Sequence, residues 1–168
     1  MTFSNGVQLA SAVIAAIGFL AVVYQIRSGD MQRRRENLRM CRQATLEFAR
    51  QTLDTRHRDW PELPDEFSKE EVLGFIDRCQ SGGGAHDLES AYGYLGLFET
   101  LCIGVQLGIY DAHTVDELYG DRLVRVFENY KPLIDRRRRD TGDEDFYISL
   151  EQAARDFKAT ELKGEKQR

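Results

Sequence analysis

Val7 to Ile26 reads VQLASAVIAAIGFLAVVYQI, 20 residues without a charge. A helix rising 1.5 Å per residue covers about 30 Å over that length, the thickness of a bilayer's hydrocarbon core. This stretch decides the architecture and predicts a transmembrane helix over 7–26. The rival reading is a cleavable export signal. Such signals carry a basic n-region, and MTFSNG ahead of the run has no Lys or Arg. Ala15, Ala16 and Ala21 resemble a cleavage site, yet Phe19, Leu20 and Val22 to Tyr24 carry the apolar run past them, which favours an uncleaved anchor. Ser11, Ala15 and Gly18 share one helical face on which a second copy could approach closely, although small residues are common in any such helix.

The flanks orient the span. Arg27, Arg33, Arg34, Arg35, Arg39 and Arg42 follow it, and nothing basic but the amino terminus precedes it. Positive charge stays on the cytoplasmic side, so residues 1–6 face outward, the remainder lies in the cytoplasm, and Tyr24 sits at interface depth.

Charge is unevenly spread. Through Asp59 there are 9 basic against 5 acidic residues, and from Trp60 onward 14 against 23, within a net charge of −5. An acidic body on a basic neck argues against general nucleic-acid binding, which needs a basic face on the folded domain. It suits a neck lying against anionic lipid. Cys41, Cys79 and Cys102 are odd in number and widely spaced, without the pairing of a zinc site or the density of a disulfide framework, and read as reduced thiols.

The remainder reads as helices. Proline is scarce, with 3 residues, and no alternating β-branched run stands out. Ser28, Gly29 and Asp30 weaken the first helix. It resumes over Met31 to Leu53 with a narrow seam of Leu38, Cys41, Thr45, Phe48 and Thr52, a stalk that packs on the body or on a copy of itself. Trp60-Pro61-Glu62-Leu63-Pro64 cannot be helical. Ser68 caps a helix bearing Val72, Phe75, Ile76 and Cys79, with Glu71 in capping-box register. Ser81-Gly82-Gly83-Gly84 is a linker, because the Gly-Lys-Ser/Thr and preceding strand of a phosphate loop are missing. His86 to Leu107 is apolar almost all round and should be central. As a second span it would place Glu99 at mid-bilayer, at a cost of about 2–4 kcal/mol. Asp111 or Thr114 caps the next helix. After Gly120 a longer one carries Leu123, Phe127, Tyr130 and Ile134, with a bend at Pro132 and Arg136 to Arg139 at its end. A last helix presents Phe146, Leu150, Ala153, Ala154 and Phe157.

The predicted fold class is therefore all-α: a transmembrane helix, a neck and stalk over 27–58, a compact body of four to five helices over 59–160, and a polar tail over 161–168.

Tyr94-Leu95-Gly96-Leu97-Phe98-Glu99, then Gly104, Gly108-Ile109-Tyr110-Asp111, Tyr119-Gly120-Asp121-Arg122 and Tyr130-Lys131-Pro132-Leu133-Ile134, together resemble the bacterial membrane-anchored proteins grouped as domain of unknown function 4760. The span ending in Tyr24-Gln25-Ile26-Arg27 is similar to their anchors. The resemblance implies a bacterial inner-membrane location and an architecture, and no activity.

Glu99 is the leading site candidate, a lone carboxylate in an apolar helix that needs a cation or a proton. Arg122 or Arg125 could pair with it, either to fix helix register or around a pocket. His57, His86 and His113 stand without partners at metal-ligand spacing, and no Ser-centred elbow, Cys-His pair or Glu-x-x-His motif occurs, so no catalytic residue, metal or cofactor is assigned. Arg136 to Arg139, edged by Asp135 and Asp140, reads as a solvated helix end before an anion site. The expectation is a non-enzymatic interaction or scaffold module with protein partners, including a second copy through its membrane or stalk helix. The alternatives are a membrane-tethered enzyme or effector built on Glu99, and a basic-neck lipid or nucleic-acid binder.

Overall fold

The computed structural model describes residues 3–55, 60–81 and 84–165, without the side chains of 3–23, 26, 28, 80, 85 and 160–165. Among the described residues five α-helices follow one another: α1 (Phe3–Phe48), α2 (Lys69–Gln80), α3 (Ala85–Gln106), α4 (Ala112–Thr141) and α5 (Ile148–Glu165). A π-helical turn, Ala49–Leu53, continues α1. No strand occurs among the described residues, so the chain is all-α.

Among the described residues no helix is long and apolar enough to cross a membrane. That statement covers α3, which is a helix of the body and not a second span. The expected span, 7–26, lies outside the described side chains except for Tyr24 and Gln25, as do the small face of Ser11, Ala15 and Gly18, His57, and the tail 161–168.

The chain divides into two compact units, Met1–Met40 and Cys41–Arg168. In the first, residues 31–40 are all exposed.

The second unit is built round α3, whose Ala91, Tyr94, Leu95, Phe98, Leu101 and Cys102 are buried. Val72, Phe75 and Ile76 of α2 meet them from one side, Leu123, Val126, Tyr130 and Ile134 of α4 from another, and Leu150 and Ala154 of α5 from a third. Each fully buried large side chain contributes about 1.5–3 kcal/mol, so periodic apolar positions rather than polar contacts hold the bundle. The unit also takes in the last turns of the expected stalk, where Thr45, Ala49 and Leu53 are buried. Thr45 Oγ1 donates to the Cys41 carbonyl at 2.8 Å and accepts the Asp111 amide at 3.0 Å.

Helix ends follow their local chemistry. Ser68 accepts the Glu71 amide, as its capping-box position predicts. Of the two candidates for the next cap, Asp111 takes the role, accepting the Thr114 amide at 3.0 Å. Gly120 does not divide two helices: α4 runs through it as one 30-residue element. Glycine costs a helix only about 1 kcal/mol against alanine, and here the missing side chain leaves room for Asp116 and lets Phe157 of α5 approach.

The end of α3 is a Schellman turn. Gly108 adopts φ +70°, Ile109 N–H donates to the Gly104 carbonyl at 2.8 Å, and Gly108 N–H donates to that of Val105 at 3.0 Å. Only glycine fits at 104, because a Cβ there would lie 2.2 Å from the Tyr110 ring. Tyr110 packs in turn on Phe48, with ring centroids 5.3 Å apart, and Cys41 Sγ donates to the Gly108 carbonyl at 3.2 Å. So braced, the turn holds Leu107 69 % and Ile109 52 % exposed.

Candidate functional site

Glu99, Arg122 and Arg125 occupy three separate places. Glu99 projects from α3 onto the start of α5, where Oε1 accepts the Ser149 amide at 3.1 Å and Oε2 the Leu150 amide at 2.7 Å. These are orphan donors at the positive end of a helix, so a carboxylate satisfies both the hydrogen bonds and the dipole. Its partner is thus a pair of backbone amides and not the arginine expected from side-chain pairing. Tyr147, just before α5, holds φ +59° and donates its hydroxyl to the Tyr92 carbonyl at 3.2 Å. Burial pushes its phenol up to about 12. Burial, helped by the charge of Glu99, pushes the Cys102 thiol up to about 12 as well.

Arg122 belongs to a different cluster, at the base of a cleft of about 630 Å³ lined by Leu63, Pro64, Phe67, Leu118 and Tyr119 among others. Its Nε lies 2.7 Å from Glu66 Oε1, and Nη2 donates to the Tyr94 hydroxyl at 3.1 Å. Burial alone would lower the pKa of Arg122, and Tyr94 and Glu66 together reverse the effect so that the net shift is upward. The guanidinium also lies 5.8 Å from the centre of the Phe98 ring. Asn129 Nδ2 donates to the Glu66 carbonyl at 2.7 Å, fixing the loop that supplies this carboxylate. Arg125 sits at the surface, bridged to Asp121 at 3.1 Å and stacked 5.5 Å from the Phe67 ring.

Glu66, Tyr94 and Asn129 carry no sequence signal for this role. Glu66 lies in a proline-bounded loop without periodicity, and Tyr94 reads as one more apolar position of α3. Only the tertiary fold brings Glu66 and Tyr94 to Arg122, and Asn129, two turns farther along α4, reaches only the loop that carries Glu66.

The Arg136 to Arg139 run is largely absorbed into the body. Arg136 bridges to Asp140 at 3.4 Å, while Arg137 stacks on Tyr92 and Phe146, 4.7 Å and 5.5 Å from their ring centres. Arg138 donates to the Phe146 carbonyl and to Glu151, both at 2.9 Å. Arg139 is exposed beside a surface pocket of about 480 Å³ that Asp135 and Glu144 also line. Among the described residues, no group of three His, Cys, Asp or Glu side chains could hold a metal ion. His113 reaches Glu117 at 3.5 Å one turn along α4.

A family model described as a domain of unknown function (DUF4760) matches residues 12–157. No curated protein and no solved structure matches the chain at a significant level.

Proposed function

The chain belongs to the domain of unknown function 4760 family, and from that premise, which brings no activity with it, we propose a single-pass, membrane-anchored interaction module. Residues 7–26 span the inner membrane of a bacterium with the amino terminus outside, and the helical body works in the cytoplasm as a non-enzymatic docking platform for other proteins. The length and apolarity of 7–26, followed by Arg27, Arg33, Arg34, Arg35 and Arg39, support the anchor and its direction.

The observation that carries the docking reading is the Schellman turn closing α3. Leu107 and Ile109 are held outward by a turn that is itself buttressed by Tyr110 and Cys41, whereas the hydrophobic residue after such a turn ordinarily folds back onto its own helix. A rigid, exposed apolar tip suits a partner's apolar surface.

A Leu107→Asp, Ile109→Asp double variant of the full chain in detergent should keep its helicity and its unfolding midpoint while losing the partner, or the self-association, that the parent protein shows in cross-linking and sedimentation. A parent protein that is strictly monomeric and captures nothing specific overturns the reading. The rival, an enzyme or effector built on Glu99, finds less support, since both oxygens of that carboxylate are engaged by the Ser149 and Leu150 amides.

A further inference from the structure

The central helix has a side left open to solvent. At 3.6 residues per turn Gly96, Thr100, Ile103 and Leu107 fall within an arc of about 60° on α3. Thr100, Ile103 and Leu107 are exposed, the last two by 40 % and 69 %, and open space lies where a Cβ on Gly96 would stand. Thr100 Oγ1 donates to the Gly96 carbonyl at 2.8 Å, so its hydroxyl is satisfied within α3 and its methyl is left for a neighbour. Glu99, the one charged residue between Gly93 and Gly108, lies off this line against the start of α5. The line is therefore uncharged, on a body that from Trp60 onward carries 14 basic against 23 acidic residues.

We infer that this side of α3 pairs with the same side of a second copy, the two helices running parallel, crossing at Gly96 and splaying toward Leu107. Residue size rises along the line from glycine through threonine to isoleucine and leucine, which fills the wedge that opens as two crossed helices separate. Copies with the same acidic surplus repel where carboxylates meet, and a two-fold contact along an uncharged line avoids setting a carboxylate against its twin. Glu89 falls on the same line two turns before Gly96, where the crossed helices have parted again. The parallel sense follows from where the chain enters the body. Cys41 Sγ reaches the Gly108 carbonyl and the Trp60 ring lies 6.0 Å from that of Tyr94, so the path from 41 to 60 runs back along α3 and the neck joins at the Leu107 end. On the anchored reading of 7–26, copies in one membrane meet with those ends together and at a raised effective concentration. A second copy is thus the partner of the apolar tip, on whose docking reading this pairing rests.

The test uses the full chain in phosphatidylcholine vesicles, with Cys41→Ser and one new cysteine replacing Thr100, Leu107, Glu89 or, as a control on α2, the exposed Leu73. Cys79 and Cys102 are buried and stay out of the reaction. A short bismaleimide should link two Thr100→Cys chains and two Leu107→Cys chains, and leave Leu73→Cys unlinked. In a mixture of differently tagged Leu107→Cys and Glu89→Cys chains, the unlike positions should not join, because parallel helices hold them about 27 Å apart along the axis. Gly96→Leu should lower the yield of both links about tenfold without loss of helicity, since it blocks the close crossing while putting a better helix former into open space. Linking no greater than in Leu73→Cys, joining of the unlike positions, or yields indifferent to Gly96→Leu would each overturn the pairing. A foreign partner lost on Leu107→Asp, Ile109→Asp from a chain that never self-links sinks the pairing and leaves the docking tip standing. Thr100→Cys links that vanish with Gly96→Leu but survive Leu107→Asp, Ile109→Asp sink the tip and leave the α3 line standing.

Discussion

Glu99, on the central helix, holds the Leu150 amide at 2.7 Å and so ties the start of the last helix to the middle of the core. Its second oxygen takes the neighbouring Ser149 amide at 3.1 Å. This tertiary cap replaces a local one at a helix entered through Tyr147, whose positive φ is costly for a side chain of that size.

Glu99→Ala should therefore destabilise the body by about 2–3 kcal/mol, the range for hydrogen bonds to a charged group whose buried donors are left open. Glu99→Gln keeps one acceptor oxygen and should lose about half as much. Urea unfolding followed by the fluorescence of Trp60, the single tryptophan, measures both. Equal stability in Glu99→Ala would show that water replaces the cap without cost.

The Glu66 and Arg122 pair makes a second, independent prediction. Glu66 is 3 % and Arg122 17 % exposed in their side chains. Removing one charge leaves its partner buried, so Glu66→Gln or Arg122→Met alone should cost about 3–5 kcal/mol. The double variant should recover part of that loss, with a coupling of about 1–3 kcal/mol in a double-mutant cycle. Strict additivity would mean that the two side chains act separately.

Two glycines in helices should respond oppositely. Gly104→Ala drives a Cβ into the Tyr110 ring and should destabilise by about 1–3 kcal/mol, with partial recovery when Tyr110 is also reduced to Ala. At Gly120 the nearest obstacle is the flexible Asp116 side chain, at 2.7 Å, and Phe157 lies 4.0 Å away. There the gain in helix propensity, about 1 kcal/mol, offsets the adjustment, and Gly120→Ala should be neutral or mildly stabilising in the same unfolding assay.

Cys102 sets an alkaline limit. Burial raises its pKa from the ordinary 9.0 to about 12. A group whose pKa is raised on folding contributes its stability in full below the unfolded value and loses it as pH rises toward the folded one. Stability should thus fall between about pH 9 and 12 more steeply in the parent protein than in Cys102→Ala. Thiol labelling of the native protein at pH 8 should reach Cys41 first, because Cys79 and Cys102 are buried. Equal labelling of all three would contradict the packing of α3.

The four body helices were legible because apolar residues recur along them at helical spacing, and because Ser68 and Asp111 announce their caps. Gly120 was misread as a boundary, since glycine signals a helix end only where the backbone turns left-handed, and at 120 it instead makes room for a neighbouring helix. The partner of Glu99 was illegible for a different reason: backbone amides leave no mark in residue type. Glu66 was hidden by its loop, where neither period nor cap singles it out. Leu107 read as the last residue of an apolar helix and Ile109 only as part of the family-like string after it, and only the turn that faces both outward distinguishes them.

Thr45 touches both Cys41 and the first residue before α4, and Ala49 and Leu53 below it are sealed from water. The lower end of the first helix is thus a wall of the body. A shortened form begun at Trp60, where the proline-rich segment invites a cut, would open the hydrophobic interior along one flank and aggregate. One begun a turn or more ahead of Cys41 keeps that wall and should stay folded and monodisperse in sedimentation.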